Sequence, residues 1–206
     1  MSQKLLEMLV EVGLEDKLVL DVGCGSGGLT FALSPYAKRV VGIDVSESEI
    51  ERAEQISKAR GMKNIDFYAV DADAIEYREF LGEGIDVVAS NLCMSPEIIK
   101  RSSRALDAGS PFVFTCFQSG QWKELGGSRF SFGVGEMRGL LETSGFIVEY
   151  LDVERWVTEL PKKETVELEY RRFPWARRRW DELMRYTGEG GRTLTQSRLV
   201  VKARRV

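Results

Sequence analysis

The residues best placed to do chemistry stand together. Asp21, Gly23, Gly25, Gly27 and Gly28 follow the apolar run Leu18-Val19-Leu20 and precede the apolar stretch that begins at Leu29. A strand running through a glycine turn into a helix is the opening of a nucleotide-binding βα unit. The glycines let the backbone turn sharply and approach a ligand where a Cβ would clash. Two patterns fit them. Gly23-x-Gly25-x-x-Gly28 reads as a dinucleotide signature, whereas Asp21-x-Gly23-x-Gly25-x-Gly27 puts a carboxylate two residues before the first glycine. A pyrophosphate at a helix N-terminus is repelled by such a carboxylate, and a ligand carrying an ammonium group is held by it. Asp44, closing the run Val40-Val41-Gly42-Ile43, suits bidentate hydrogen bonding to ribose hydroxyls in either kind of cofactor. Asp71 and the Ala72 amide, after a third run, suit an adenine amino group and ring nitrogen.

The sequence contains no histidine. That removes the commonest general base and metal ligand, and with them Ser-His-Asp, Cys-His and His-zinc chemistry. A base, where the reaction needs one, must be Asp, Glu, Tyr, Lys or a thiolate. Cys24, Cys93 and Cys116 are odd in number and widely spaced, so they form neither a disulfide framework nor a zinc site. Each falls near the end of an apolar run, which leaves two readings: a soft-ligand thiol site, or three small buried apolar side chains.

These residues need a sheet to align them. Expected strands cover residues 18–22, 39–46, 65–73, 84–91 and 110–117, separated by helices, so the sheet is parallel and doubly wound, an α/β fold. Ser46 caps a helix that Gly61 ends, and Ser95-Pro96-Glu97 starts another reaching about Leu106. An amphipathic helix precedes the first strand, with Leu5, Leu6, Leu9, Val10 and Leu14 on one stripe. Residues 118–135 read as a mobile loop, 135–144 as a helix, and 146–153 and 197–206 as the last strands. At 206 residues this is one domain. No secretory leader or membrane span is expected, and the chain is read as cytoplasmic. The net charge of −3 is uneven, with residues 155–206 carrying 14 Lys+Arg against 7 Asp+Glu.

The run Asp21-Val22-Gly23-Cys24-Gly25-Ser26-Gly27, with Gly42-Ile43-Asp44 and Val70-Asp71-Ala72, resembles the class I S-adenosylmethionine-dependent methyltransferases, in their small-molecule branch. The resemblance implies a seven-stranded, mostly parallel sheet in the order 3-2-1-4-5-7-6 with the last strand antiparallel. It implies S-adenosylmethionine as cofactor, held by Asp21, Gly23, Gly25, Gly27, Asp44, Val45, Asp71, Ala72 and Asn91. Asn91 and Cys93, after the fourth strand, stand where that family puts acceptor-facing groups and are the catalytic candidates. Ser90-Asn91-Leu92-Cys93-Met94 departs from the (Asn/Asp)-Pro-Pro-(Tyr/Phe) motif, which argues against adenine N6 or protein glutamine as acceptor.

Residues 155–193, between the last two strands, must leave and return on the cofactor side. They carry Arg177, Arg178 and Arg179 between Trp175 and Trp180, and they read as a substrate cap or as a packing element. The acceptor expected is a small molecule. The alternatives are an RNA or protein acceptor held by the basic insertion, a non-catalytic S-adenosylmethionine-binding module, and an NAD-dependent oxidoreductase disfavoured by Asp21.

Overall fold

A computed structural model describes residues 1–128, 130–160 and 177–206. β1 (Leu18–Val22) is buried along its whole length, as a central strand covered on both faces must be. Leu18, Leu20 and Val22 enter one core and Val19 the other, so Asp21 shares Val19's side of the sheet. β2 (Arg39–Asp44), β3 (Ile65–Ala69), β4 (Val87–Asn91) and β5 (Pro111–Gln118) lie parallel to it. β6 (Ser131–Phe132), β7 (Phe146–Glu159) and β8 (Thr193–Arg205) follow.

The strand order is β3-β2-β1-β4-β5-β8-β7, with β8 antiparallel to both neighbours and β6 a short addition on β5. This is the implied order with one strand added. Residues 118–135 are more structured than expected: Gln118 ends β5, Lys123–Leu125 make a 3-10 turn, and β6 pairs with Phe117 and Gln118.

α1 (Gln3–Glu11) and α2 (Gly28–Leu33) cover one face through Leu5, Met8, Leu9, Leu29 and Leu33. Val10 is 38% exposed and leaves the expected stripe, and Met8 takes its place. α3 (Glu47–Ala59), capped by Ser46, packs Ile50 and Ala53 on Phe67. α4 (Tyr77–Leu81), which the sequence did not signal, covers the other face with α5 (Pro96–Ala105) and α6 (Val134–Thr143).

β7 and β8 are longer than expected. Pairing between β8 and β5 ends at Phe117 and Arg198, yet β7 and β8 stay paired through Arg155–Glu159 and Thr193–Ser197. At ~3.3 Å per residue this ribbon projects about 16 Å past the carboxyl ends of the parallel strands. Residues 155–159 and 193, expected to lie in the insertion between the last two strands, are paired strand residues. What joins the ribbon's ends includes α7 (Arg177–Gly188), and Trp175 and residues 165–170 lie outside the described residues. Among the described residues no helix is long and apolar enough to cross a membrane.

Phe112 is fully buried against the rings of Phe114 (4.6 Å) and Phe146 (5.4 Å). Phe112→Ala is expected to cost about 3–5 kcal/mol through lost burial and a residual cavity. Urea denaturation measures this.

Candidate functional site

The turn after β1 is fixed by its own backbone. The amides of Gly23 and Cys24 both donate to the Ile43 carbonyl, at 2.8 and 3.0 Å, and Gly27 N–H donates to Cys24 O at 2.9 Å. Gly23, Gly25 and Gly27 have φ of 70°, 51° and 88°, which side chains rarely adopt. Their surroundings differ. A Cβ on Gly23 would lie 2.2 Å from Cβ and 2.3 Å from Sγ of Cys93, and one on Gly27 would strike the Phe31 ring at 2.7 Å. A Cβ on Gly25 would meet nothing within 4 Å. Gly23 and Gly27 are thus glycines because protein occupies the space, and Gly25 faces open room.

Asp21 is fully buried beneath α2, where the Thr30 hydroxyl donates to its Oδ2 at 2.6 Å. Its Oδ1 is buried with no hydrogen-bond partner. Burial raises its pKa from 3.8 to about 7, opposed by the Thr30 hydrogen bonds and reinforced by Asp44. Asp44 accepts the amides of Gly25 (Oδ2, 2.9 Å) and Ser46 (Oδ1, 2.9 Å), so the carboxylate expected to serve a ribose also holds the glycine turn. Each carboxylate oxygen keeps further lone pairs. Val45 is 72% exposed beside it. β3 ends at Ala69, so Asp71 lies in the following turn, exposed, with Asp73 N–H on its Oδ1 at 2.9 Å. The Ala72 carbonyl accepts the Tyr77 hydroxyl at 3.1 Å. Ser95, the cap of α5, donates to Asp73 at 2.5 Å.

Asn91 ends β4 and accepts the Thr115 hydroxyl at 3.0 Å. Cys93 packs on Gly23, and burial pushes its thiol up to about 11, reinforced by Asp44, Asp73, Asp21 and Asp71. Burial therefore favours the neutral thiol at Cys93. Burial likewise raises Cys24, and it raises Cys116 to about 12. Cys24 belongs to the Phe67 cluster, while Cys93 and Cys116 adjoin the opposite core. Among the described residues no three His, Cys, Asp or Glu side chains gather so that they could hold a metal.

Two residues carried no sequence signal. Leu92 (φ 64°) and Trp122 (φ 52°) are the only non-glycine residues at positive φ among those described. Such conformations cost roughly 1–3 kcal/mol and persist only where neighbours enforce them. Leu92 N–H is held by Thr115 O at 2.9 Å. The Trp122 loop is fastened to β8: Trp122 N–H donates to Thr195 O, Glu124 accepts the Thr195 amide and hydroxyl, and Gln121 Oε1 accepts the Ser197 amide.

With Asp21 near the end of β1, Asp44 at the end of β2 and Asp71 in the turn after β3, a dinucleotide's pyrophosphate would meet carboxylates here, whereas a cationic nucleoside would not be repelled. Comparison with known proteins agrees. The family model described as "Methyltransferase domain" matches residues 14–191, and the chain belongs to that family. It is an S-adenosylmethionine-dependent methyltransferase.

It is similar to an uncharacterized methyltransferase of Schizosaccharomyces pombe, with 28% identity over 86% of this chain and 78% of that one. It is 34% identical to the 23S rRNA (uracil(1939)-C(5))-methyltransferase RlmD of Aeromonas hydrophila over 42% of this chain, but spans only 20% of that protein's length. A solved structure, a putative methyltransferase from Bacillus halodurans, has the same fold, with a TM-score of 0.73 at 17% identity over 97% of both chains.

Two outcomes follow. Asp21 binds a proton more tightly in the folded chain, so its contribution to stability is complete below about pH 4 and is lost as pH rises through about 7. Denaturation of the wild type should give a stability that falls across that window, and the fall should be absent in Asp21→Asn. Gly23→Ala should cost several kcal/mol, because the new methyl collides with Cys93 at a strained φ. Cys93→Gly should recover part of that loss in the same denaturation assay.

Proposed function

We propose that this chain methylates a small molecule held over the carboxyl ends of β4 and β5, with the donor held at the ends of β1, β2 and β3. When bound, S-adenosylmethionine supplies an electrophilic methyl group on a sulfonium sulfur. The observation that carries the assignment is the pairing of the open space at Gly25 with the unpartnered, buried Oδ1 of Asp21 a few residues away. Asp21, buried beneath the turn, would favour the donor's ammonium group through its negative charge. Asp44 would accept ribose hydroxyls while holding the Gly25 amide. Val45 would cover the adenine, with Asp71 and the Ala72 amide at its edge. Gly23, Gly25, Gly27 and Asn91 would shape the methionine end.

On the acceptor side, the chain's work is alignment and exclusion of water. With no histidine and Cys93 held as a thiol, the reading favours an acceptor atom that already carries a free lone pair, such as an amine. The carboxylates Asp44, Asp71 and Asp73 line the rim, and that charge opposes a polyphosphate backbone. This supports a small-molecule acceptor over RNA. The Arg177-Arg178-Arg179 run of the sequence and the partial likeness to an rRNA methyltransferase favour a nucleic acid instead.

Titration calorimetry with S-adenosylmethionine, S-adenosylhomocysteine and NAD tests the assignment. The first two should bind, and binding of NAD alone would overturn it. Asp44→Ala should weaken S-adenosylhomocysteine binding by about 1–3 kcal/mol with the fold retained. Unchanged affinity would remove Asp44 from the site.

A further inference from the structure

We infer that Thr30 is a positioning residue of the donor site: its hydroxyl sustains the negative charge of Asp21 beneath the glycine turn, and that charge favours a ligand with an ammonium group. The inference rests on the S-adenosylmethionine reading above and adds to it the residue on which Asp21 depends.

Thr30 is the one polar side chain of α2, the helix into which the glycine turn leads, and it is as fully buried as Asp21. A valine would fill the same space without taking a hydroxyl out of water. The hydroxyl is kept, and it donates to Asp21 Oδ2 at 2.6 Å. That length is typical of a hydroxyl bonded to an ionised carboxylate.

The other neighbours give Asp21 no such support. Its partners in register on β2 and β4 are Gly42 and Ala89, and α1 presents Leu5, Met8 and Leu9 to the same side of the sheet. The titratable groups coupled to it are Asp44 at the end of β2 and the thiols of Cys24 in the turn and Cys93 after β4. None of these is a cation. Its Oδ1 is buried without a hydrogen-bond partner. Burial and Asp44 therefore push the carboxyl up, to about 7, and the hydroxyl and amide of Thr30 hold it down, the hydroxyl more strongly. A charge in so poorly solvated a place acts across several ångströms, so the ligand need not touch it.

The sign of the effect follows from linkage. Near neutrality the carboxyl is only partly ionised. An ammonium group favours the ionised form, so affinity for the ligand rises with pH through about 7 and then levels off. Without the Thr30 hydroxyl that rise moves to higher pH.

Calorimetric titration of the full chain from about pH 5.5 to about pH 8 tests this. The two probes are S-adenosylhomocysteine and 5′-methylthioadenosine, which has the nucleoside but lacks the ammonium group. S-adenosylhomocysteine affinity should rise with pH in the unmutated protein and stay low and flat in Asp21→Asn. Thr30→Val should move the rise to higher pH and lower the affinity near neutrality by about five- to tenfold, and Thr30→Ser should restore it. The unmutated protein and Thr30→Val should bind 5′-methylthioadenosine alike. Equal losses for both ligands, or an S-adenosylhomocysteine profile that Thr30→Val leaves in place, overturn the inference. Should the valine variant not fold, the unmutated protein still decides. Followed by its carbon chemical shift, the Asp21 carboxyl should titrate at lower pH with S-adenosylhomocysteine bound than without, and an unmoved midpoint overturns the inference. Failure of S-adenosylhomocysteine to bind the unmutated protein overturns the reading beneath it instead.

Discussion

Cys93 fills the space that a side chain on Gly23 would need, and this contact joins the loop after β1 to the loop after β4. Gly23 turns the chain out of β1, and Cys93 follows β4, the strand next to it. With a Cβ on Gly23 the two loops would have to part. Without one, the glycine turn and the start of the loop after β4 form one packed unit. Thr115 of β5 holds the neighbouring Leu92 amide and Asn91 in place, accepting the first and donating to the second.

Charge then decides what the crevice can hold. Four carboxylates, Asp21, Asp44, Asp71 and Asp73, all bear on the Cys93 thiol, and burial holds that thiol protonated. Asp21 is the extreme case, ionised near neutrality only at a cost, with one oxygen bonded to Thr30 and the other unmatched. A cation brought to that oxygen would offset the cost, and an anion would add to it. The same rim contains no histidine, so a methyl transfer here would depend on alignment rather than on a strong protein base.

Much of this was legible in the sequence because it depends on local rules. The glycine turn, the apolar runs of β1, β2, β4 and β5 and the caps at Ser46 and Ser95 are each determined within a few residues. What was not legible depends on contacts between distant segments. Nothing near Cys93 signals that it packs on Gly23, and nothing near Leu92 or Trp122 signals a positive φ, since Thr115, Thr195 and Gln196 impose it. The length of β7 was missed because its last residues, Arg155–Glu159, are exposed and owe their strand form to pairing with β8. Nor does the sequence show that Cys93 and Cys116 adjoin one core while Cys24 joins the Phe67 cluster, a division that follows from which side of the sheet each side chain takes.

The central claim is that the donor occupies the crevice where the glycine turn meets the ends of β2 and β3. Amide hydrogen exchange of the full chain with and without S-adenosylhomocysteine tests it most directly. Slower exchange is predicted at residues 23–28, 44–46 and 71–73, with no change at residues 107–111 on the opposite edge of the sheet. Protection confined to segments away from the glycine turn would contradict the account.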